Sequence, residues 1–360
     1  MTITTTTPTI ALTAIIVSIA SFPFTSGGTA AASPITARGF KAPLARRTAS
    51  TPSTRYYGAE SVLVPAAKLL LHPPQQRIER RAGPRAFGSW LYTCEAGGCN
   101  VYTHTPPART ALSYFETETS GLNFPQGTVA RGKGEWYIAN TDASNVAVYS
   151  STIDGPHASY TLDDSGQLPG DVDVEVKVDP YITAVSNVYD VGFNTGSVSI
   201  YKTISHTPDW YLTMPNPVEG VGIAIDKRGD CFWSYVDSAS GVGYIAKFAG
   251  CSGSGTPFVT MNFPGGIAFD KHDNMYYVDQ TKGVYKCAGL TGCTLLTAGF
   301  GDPVFINFDD GWRHLWVTDA VNCTVDALNP NTGAVLAVHS VAGNECDPPI
   351  GIALSPGAAY

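Results

Sequence analysis

PQGTVARGKGEWYIANTDASNVAVYS, residues 125–150, decides the fold. It opens on a Pro-x-Gly turn and a short run of small residues. A polar, Gly-containing turn follows, then the aromatic run EWYIA, an Asn/Asp turn, and a third apolar run. ASYTL at 158–162 supplies a fourth. Short apolar runs separated by Gly, Pro, Asn and Asp read as strands joined by tight turns. The aromatic run is nearly continuous in apolar character, which marks a strand buried on both faces rather than a half-solvated one.

The same unit recurs about every 38 to 47 residues, and such a period outranks any single motif. First strands open at PQGTVA (125), GDVDVEV (170), VEGVGIAI (218), PGGIAF (264), DPVFINF (302) and PPIGIAL (348). Second strands are the more aromatic EWYIANTD, YITAVSN, CFWSYVD, NMYYVDQ and HLWVTDA. Third strands read NVAVYS, SVSIYK, GYIAKF, GVYKC and CTVDAL, and fourth strands ASYTL, WYLTM, PFVTM, TLLTA and VLAVHS. Five units are complete. Residues 89–115 supply strands two to four without a first, and residues 348–354 supply a first strand alone. The two fragments complement each other. The expected fold is therefore an all-β, six-bladed propeller over residues 88–360, four strands per blade, with the C-terminal strand completing the first blade.

Composition agrees. Charged residues make up only 14 % of the 360, and Gly and Pro number 37 and 25. The net charge of −8 is unevenly spread. Residues 33–87 carry ten Lys or Arg against two Glu, a net of +8, while residues 88–360 carry 12 basic and 28 acidic side chains, a net of −16. So acidic a body repels nucleic acid and anionic membranes. Residues 33–87, rich in Pro, Ala, Arg and Thr, read as a flexible linker whose one apolar stretch is SVLVPAAKLLL at 61–71. Residues 1–32 read as a signal peptide or short anchor: the apolar run from Ile10 to Phe24 is short for a membrane span, and small residues follow, although no Lys or Arg precedes it. A secreted, periplasmic or cell-surface monomer is expected, membrane-bound only if this segment stays attached.

The unit P-x-G, apolar strand, turn, aromatic strand, N/D-x, strand resembles the NHL-repeat propellers and the wider superfamily of gluconolactonase-like and streptogramin-lyase-like proteins. The resemblance covers about 270 residues and implies architecture more than activity, because this fold hosts enzymes, ligand binders and interaction platforms alike.

With first strands running from a top face to a bottom face, the blade map places residues. Eight cysteines in an exported chain imply disulfides, and each finds a partner at the same end of its own blade: Cys94–Cys99, Cys231–Cys251, Cys287–Cys293 and Cys323–Cys346. Acidic residues gather on top. Asp142, Asp237, Asp279 and Asp319 end second strands, where they commonly bond turn backbone. Asp171, Asp173, Glu219, Asp302 and Asp347 stand at or near first-strand starts, around the channel mouth. Gln126, Asp171, Glu219 and Asp302 are the candidate ligand-binding set. Gluconolactonase-like propellers hold a metal at such a mouth through Glu, Asn and Asp. The resemblance thus offers Glu219 and Asp302 as Ca²⁺ ligands, with a carbonyl oxygen from Gln126. The pattern departs in having no Asn at a first-strand start, Asn307 lying deeper.

His104, His157, His206, His272 and His314 map to the bottom, His72 to the linker and His339 to an outer strand. No histidine is placed to act as a base at the mouth. GVGYIA at 241–246 leads into a strand, not a helix, so it is no dinucleotide fingerprint. No G-x-S-x-G elbow occurs. Asn322-Cys323-Thr324 is formally a glycosylation sequon. The reading that follows is a non-catalytic binding scaffold for a protein, glycan or small molecule, without a cofactor. The alternative is a metal-dependent lactonase- or lyase-like enzyme with Ca²⁺ in the channel.

Overall fold

The computed structural model describes residues 90–95, 97–105, 111–119, 121–131, 135–149, 158, 160–175, 181–192, 194–202, 205–309, 311–341 and 348–355, together with the short strands β1 (Thr54–Arg55) and β2 (Val64–Pro65). The chain divides into Met1–Ala42, which lies outside the described residues, and Pro43–Tyr360. β1 and β2 pair antiparallel within the segment expected to be a linker.

The remaining strands form six four-stranded antiparallel sheets. Blade one contains β3 (Trp90–Glu95), β4 (Gly98–Thr105) and β5 (Ala111–Glu118). Blade two is β6 (Pro125–Arg131), β7 (Glu135–Asn140), β8 (Asn145–Tyr149) and β9 (Tyr160–Asp163). Blade three is β10 (Gln167–Glu175), β11 (Ile182–Asp190), β12 (Ser197–Lys202) and β13 (Trp210–Leu212). Blade four is β14 (Pro217–Ile225), β15 (Cys231–Asp237), β16 (Gly243–Phe248) and β17 (Thr256–Met261). Blade five is β18 (Pro264–Phe269), β19 (Met275–Asp279), β20 (Gly283–Ala288) and β21 (Thr291–Thr297). Blade six is β22 (Pro303–Phe308), β23 (Leu315–Asp319), β24 (Thr324–Leu328) and β25 (Val335–Ser340). The last strand, β26 (Gly351–Ser355), pairs with β3 from Gly351↔Cys94 to Ser355↔Trp90 and so becomes the inner strand of blade one. The inner strands touch in a closed cycle: β26, β6, β10, β14, β18, β22 and back to β26.

Each seam between blades holds its own hydrophobic cluster. Second strands supply the bulk: Trp136 between blades one and two, Trp233 between three and four, Trp316 between six and one. This explains their continuous apolar character, since a middle strand meets a neighbouring blade on both faces. The outer strands are thinly covered; β25 leaves Val335, Leu336 and Val338 exposed.

The repeat signature has a physical basis. Four inner strands begin with Pro, paired across to the last polar residue of the second strand: Pro125↔Asn140, Pro217↔Asp237, Pro264↔Asp279 and Pro303↔Asp319. Proline has no N–H to lose at a strand's first residue. A bulge follows each one. The glycines after it mark close approach of successive blades. A Cβ on Gly222 would lie 2.6 Å from the Gly265 carbonyl, and one on Gly127 or Gly351 would overlap Asp171 or the Gln126 carbonyl.

Two boundaries move. β10 starts at Gln167, not Gly170, so Asp171 and Asp173 sit inside the strand. Asp142 lies in a 3-10 turn, Thr141–Ala143, and the residue that ends β7 is Asn140. Three expected disulfides are present: Cys94–Cys99, Cys231–Cys251 and Cys287–Cys293. Cys323 is also disulfide-bonded; Cys346, its expected partner, lies outside the described residues, as do Asp347 and His157.

Candidate functional site: the channel and its mouth

An inner strand is a sheet edge, with N–H groups its own blade leaves unpaired. Blade three deals with this differently from the others. Its inner strand alternates, as DVDVEV, where those of blades four and five read GIAI and GIAF. Alternation puts Asp171 and Asp173 on one face of β10. Their carboxylates cross to β14: Asp171 Oδ2 accepts from the Ile223 N–H at 2.9 Å, and Asp173 Oδ2 from the Ile225 N–H at 2.8 Å. Asp173 Oδ1 also accepts from the Val174 N–H at 2.9 Å. Burial raises the Asp171 carboxyl well above the ordinary range; the amides of Ile223 and Val172 oppose this and Asp173 adds to it. On the far wall, Asn307 donates to the Ile352 carbonyl at 3.4 Å and accepts from the Phe308 N–H at 2.8 Å. It ties blade six to blade one.

Between these walls the channel narrows to a cavity of about 30 Å³, lined by Asp171, Asp173, Thr128 and Asn307 among aliphatic side chains and Phe269 and Phe305. That is room for one or two waters.

The four candidate mouth residues come from four different blades. Asp171 belongs to the channel wall. Gln126 is half-buried in β6 of blade two. Glu219, in β14 of blade four, is hydrogen-bonded by the Tyr189 hydroxyl of blade three, and burial raises its carboxyl to about 7 against that bond. Asp302 is buried just before β22, its N–H donating to Asp319 Oδ1 at 3.0 Å and its carbonyl accepting from Ala320 at 2.8 Å. Among the described residues no three His, Cys, Asp or Glu side chains form a metal-ligating group. No chemistry is routed through a metal.

The residues that end second strands are structural. Asp319 accepts from the N–H groups of Gly301, Asp302 and Asn322, closing the turn into blade six. Asp279 accepts from Asn262 and Thr281, Asn140 from Asn123, and Asp237 from Ser240. Asp226, Asp270 and Asp309 do the same in the turns between first and second strands. His272 and His314 occupy those bottom turns, with His314 Nδ1 2.6 Å from Asp309. His339 stacks on Trp316 at 6.0 Å, on the outer strand.

No protein-family model matches the chain, and no curated protein does. Solved structures match its fold. A chain of the nidogen/laminin complex is 15 % identical, with a TM-score of 0.60 over 74 % of this chain and 98 % of that one. Streptogramin B lyase is 12 % identical, with a TM-score of 0.46 over 72 % and 76 %. The PQQ-bound aldose sugar dehydrogenase of Streptomyces coelicolor is 11 % identical, with a TM-score of 0.49 over 69 % and 90 %. The nidogen/laminin likeness bears out the six-bladed propeller; at such identity it speaks for fold alone.

Three disulfides fit an oxidising, extracellular compartment. No helix among the described residues is long and apolar enough to cross a membrane.

Proposed function

We propose that this propeller is an exported binding scaffold that engages a protein or glycan through its top face and channel mouth. The top face carries the reading: its turn carboxylates are held by backbone amides, and the channel cavity beside it is small, about 30 Å³. The top-face carboxylates are largely committed to turn amides, which leaves a rigid platform rather than an acid–base set. Among the described residues, Val191 and Val321, in top turns of blades three and six, are exposed apolar contacts on it, at 46 % and 47 % exposure. The nidogen/laminin match adds a propeller of the same architecture taken from a protein–protein complex.

The test is a binding screen of the full chain against extracellular proteins and glycans. Val191→Glu and Val321→Glu are expected to abolish any interaction found, and Lys227→Glu and Lys271→Glu, in bottom turns, to leave it intact. The reverse pattern would sink the proposal. One observation favours an enzymatic alternative, a lactonase- or lyase-like activity at the mouth: the Glu219 carboxyl, held near neutrality against Tyr189. Turnover of lactones by the wild type that disappears in Glu219→Gln would establish it. A rise in melting temperature with added Ca²⁺, lost in the same variant, would restore the metal.

A further inference from the structure

Beneath the connection from blade two to blade three lies a buried polar chain that neither channel nor mouth uses. Asp164 follows β9 directly, and it, Ser199 and Asn187 are each fully buried. Ser199 Oγ donates to Asp164 Oδ1 at 2.7 Å. Asn187 Nδ2 donates to Ser199 Oγ at 2.8 Å and to Ser197 Oγ at 3.0 Å. Ser197 Oγ donates in turn to Gln167 Oε1 at 3.1 Å. The Tyr201 hydroxyl is given to the Asp163 carbonyl at 3.0 Å. Every hydroxyl hydrogen, and both hydrogens of the Asn187 amide, are thus committed. Two buried acceptors still lack a donor: Asp164 Oδ2 and Asn187 Oδ1.

The chain is short of hydrogens, and its carboxylate has no counter-charge. The ionisable groups facing Asp164 are the Asp163 carboxylate and the phenols of Tyr201 and Tyr211. The His206 ring is turned to the Thr161 carbonyl. No ion pair to Asp164 occurs among the described residues. A buried carboxylate in such surroundings takes up a proton rather than remain charged.

We propose that Asp164 is a proton-binding latch: protonated, it sits in the polar chain without an unpaired buried charge and holds the connection between blades two and three, and ionised, it loosens that seam. Backbone bonds, the Thr141 hydroxyl on the Pro169 carbonyl and a hydrophobic cluster also hold this seam. Asp163 N–H reaches the His206 carbonyl at 2.7 Å, Asp164 N–H the Ser144 carbonyl at 3.1 Å, and Val191 N–H the Gly166 carbonyl at 2.9 Å. The direction of titration supports the geometry. Burial lifts the Asp164 carboxyl to about 7; the neighbouring hydroxyls of Ser199 and Tyr201 oppose the lift and the Asp163 carboxylate adds to it. Because the folded value is raised, the folded state holds the proton more tightly than the unfolded chain. The stabilisation is complete below the ordinary aspartate range near pH 4 and is lost as pH climbs through about 7.

Carboxyl-carbon NMR on the full chain, with melting curves from pH 4 to 9 for wild type and Asp164→Asn, tests this. Asp164 is expected to titrate near neutrality, and the amides of residues 163–167 and Val191 to shift with the same midpoint. Asp164→Asn should flatten the fall in stability, removing up to about a thousandfold change in the folding equilibrium between pH 4 and 8. Titration of Asp164 in the ordinary acid range, or a variant that keeps the wild-type slope, would overturn the latch. Should the variant not fold, the wild-type titration and the seam amides decide alone.

Discussion

Deleting residues 350–360 removes the strand that closes the ring. β26 is short, but its side chains serve two seams. Ile352 and Leu354 pack with Leu91, Val304, Phe305 and Trp316 toward blade six, and Ala353 packs with Tyr92 and Trp136 toward blade two. Ile350, Ile352 and Leu354 are each no more than 2 % exposed. Burying a side chain of this size is worth roughly 1.5–3 kcal/mol, so the three together contribute about 5–9 kcal/mol. A domain's whole stability is roughly 5–15 kcal/mol. The truncated chain also bares the edge of β3 from Trp90 to Cys94, a template for pairing with other chains. It should therefore melt far below the wild type, or fail to fold, and elute as aggregate on gel filtration. Adding a peptide of residues 348–360 should restore both the near-UV circular dichroism and the wild-type elution position. Leu354→Ala gives the graded version, a loss of about 2–5 kcal/mol. A truncated chain that elutes as the wild type does, with an unchanged melting temperature, would refute the closure argument.

Cys231–Cys251 closes a span of 20 residues, and replacing both cysteines by Ala should cost about 3 kcal/mol in urea unfolding, on the chain-entropy account. Trp233→Ala, which empties the seam between blades three and four, should lose about 3–5 kcal/mol in the same assay. The Glu219 carboxyl is also raised, to about 7, so its stabilisation is full below the ordinary glutamate range and falls as pH rises through neutrality. Glu219→Gln should therefore melt higher than the wild type at pH 8 and no higher at pH 4; a gap that is the same at both would show that Glu219 does not titrate there.

What the sequence makes legible follows from how propellers are built. The period, the six first strands, the doubly buried second strands and the closing strand all rest on local turn chemistry and on one burial pattern repeated, so each unit corroborates the next. Three in-blade cysteine pairs stand where the blade map suggested them, Cys94–Cys99, Cys231–Cys251 and Cys287–Cys293. The site is harder, because its contacts run between blades, where no short-range pattern reports them. Asp171 reads as a mouth residue when judged by distance from a Pro or Gly turn. The signal that corrects this is the alternation in DVDV: Asp171 and Asp173, two residues apart along an inner strand, share one face and need donors from the next blade's edge. Asp164 leaves still less trace. It resembles any Asp in a Ser/Gly turn, and only the fold brings Ser199 and Asn187 over it. The two cases share a cause. In a ring of sheets, each blade completes its own ladder and leaves its edges and connections to its neighbour. Polar side chains that bridge blades therefore bear burial that the sequence of one blade cannot show. Carboxyl groups with raised pKa are expected at the seams, and Asp164 and Asp171 are both placed there.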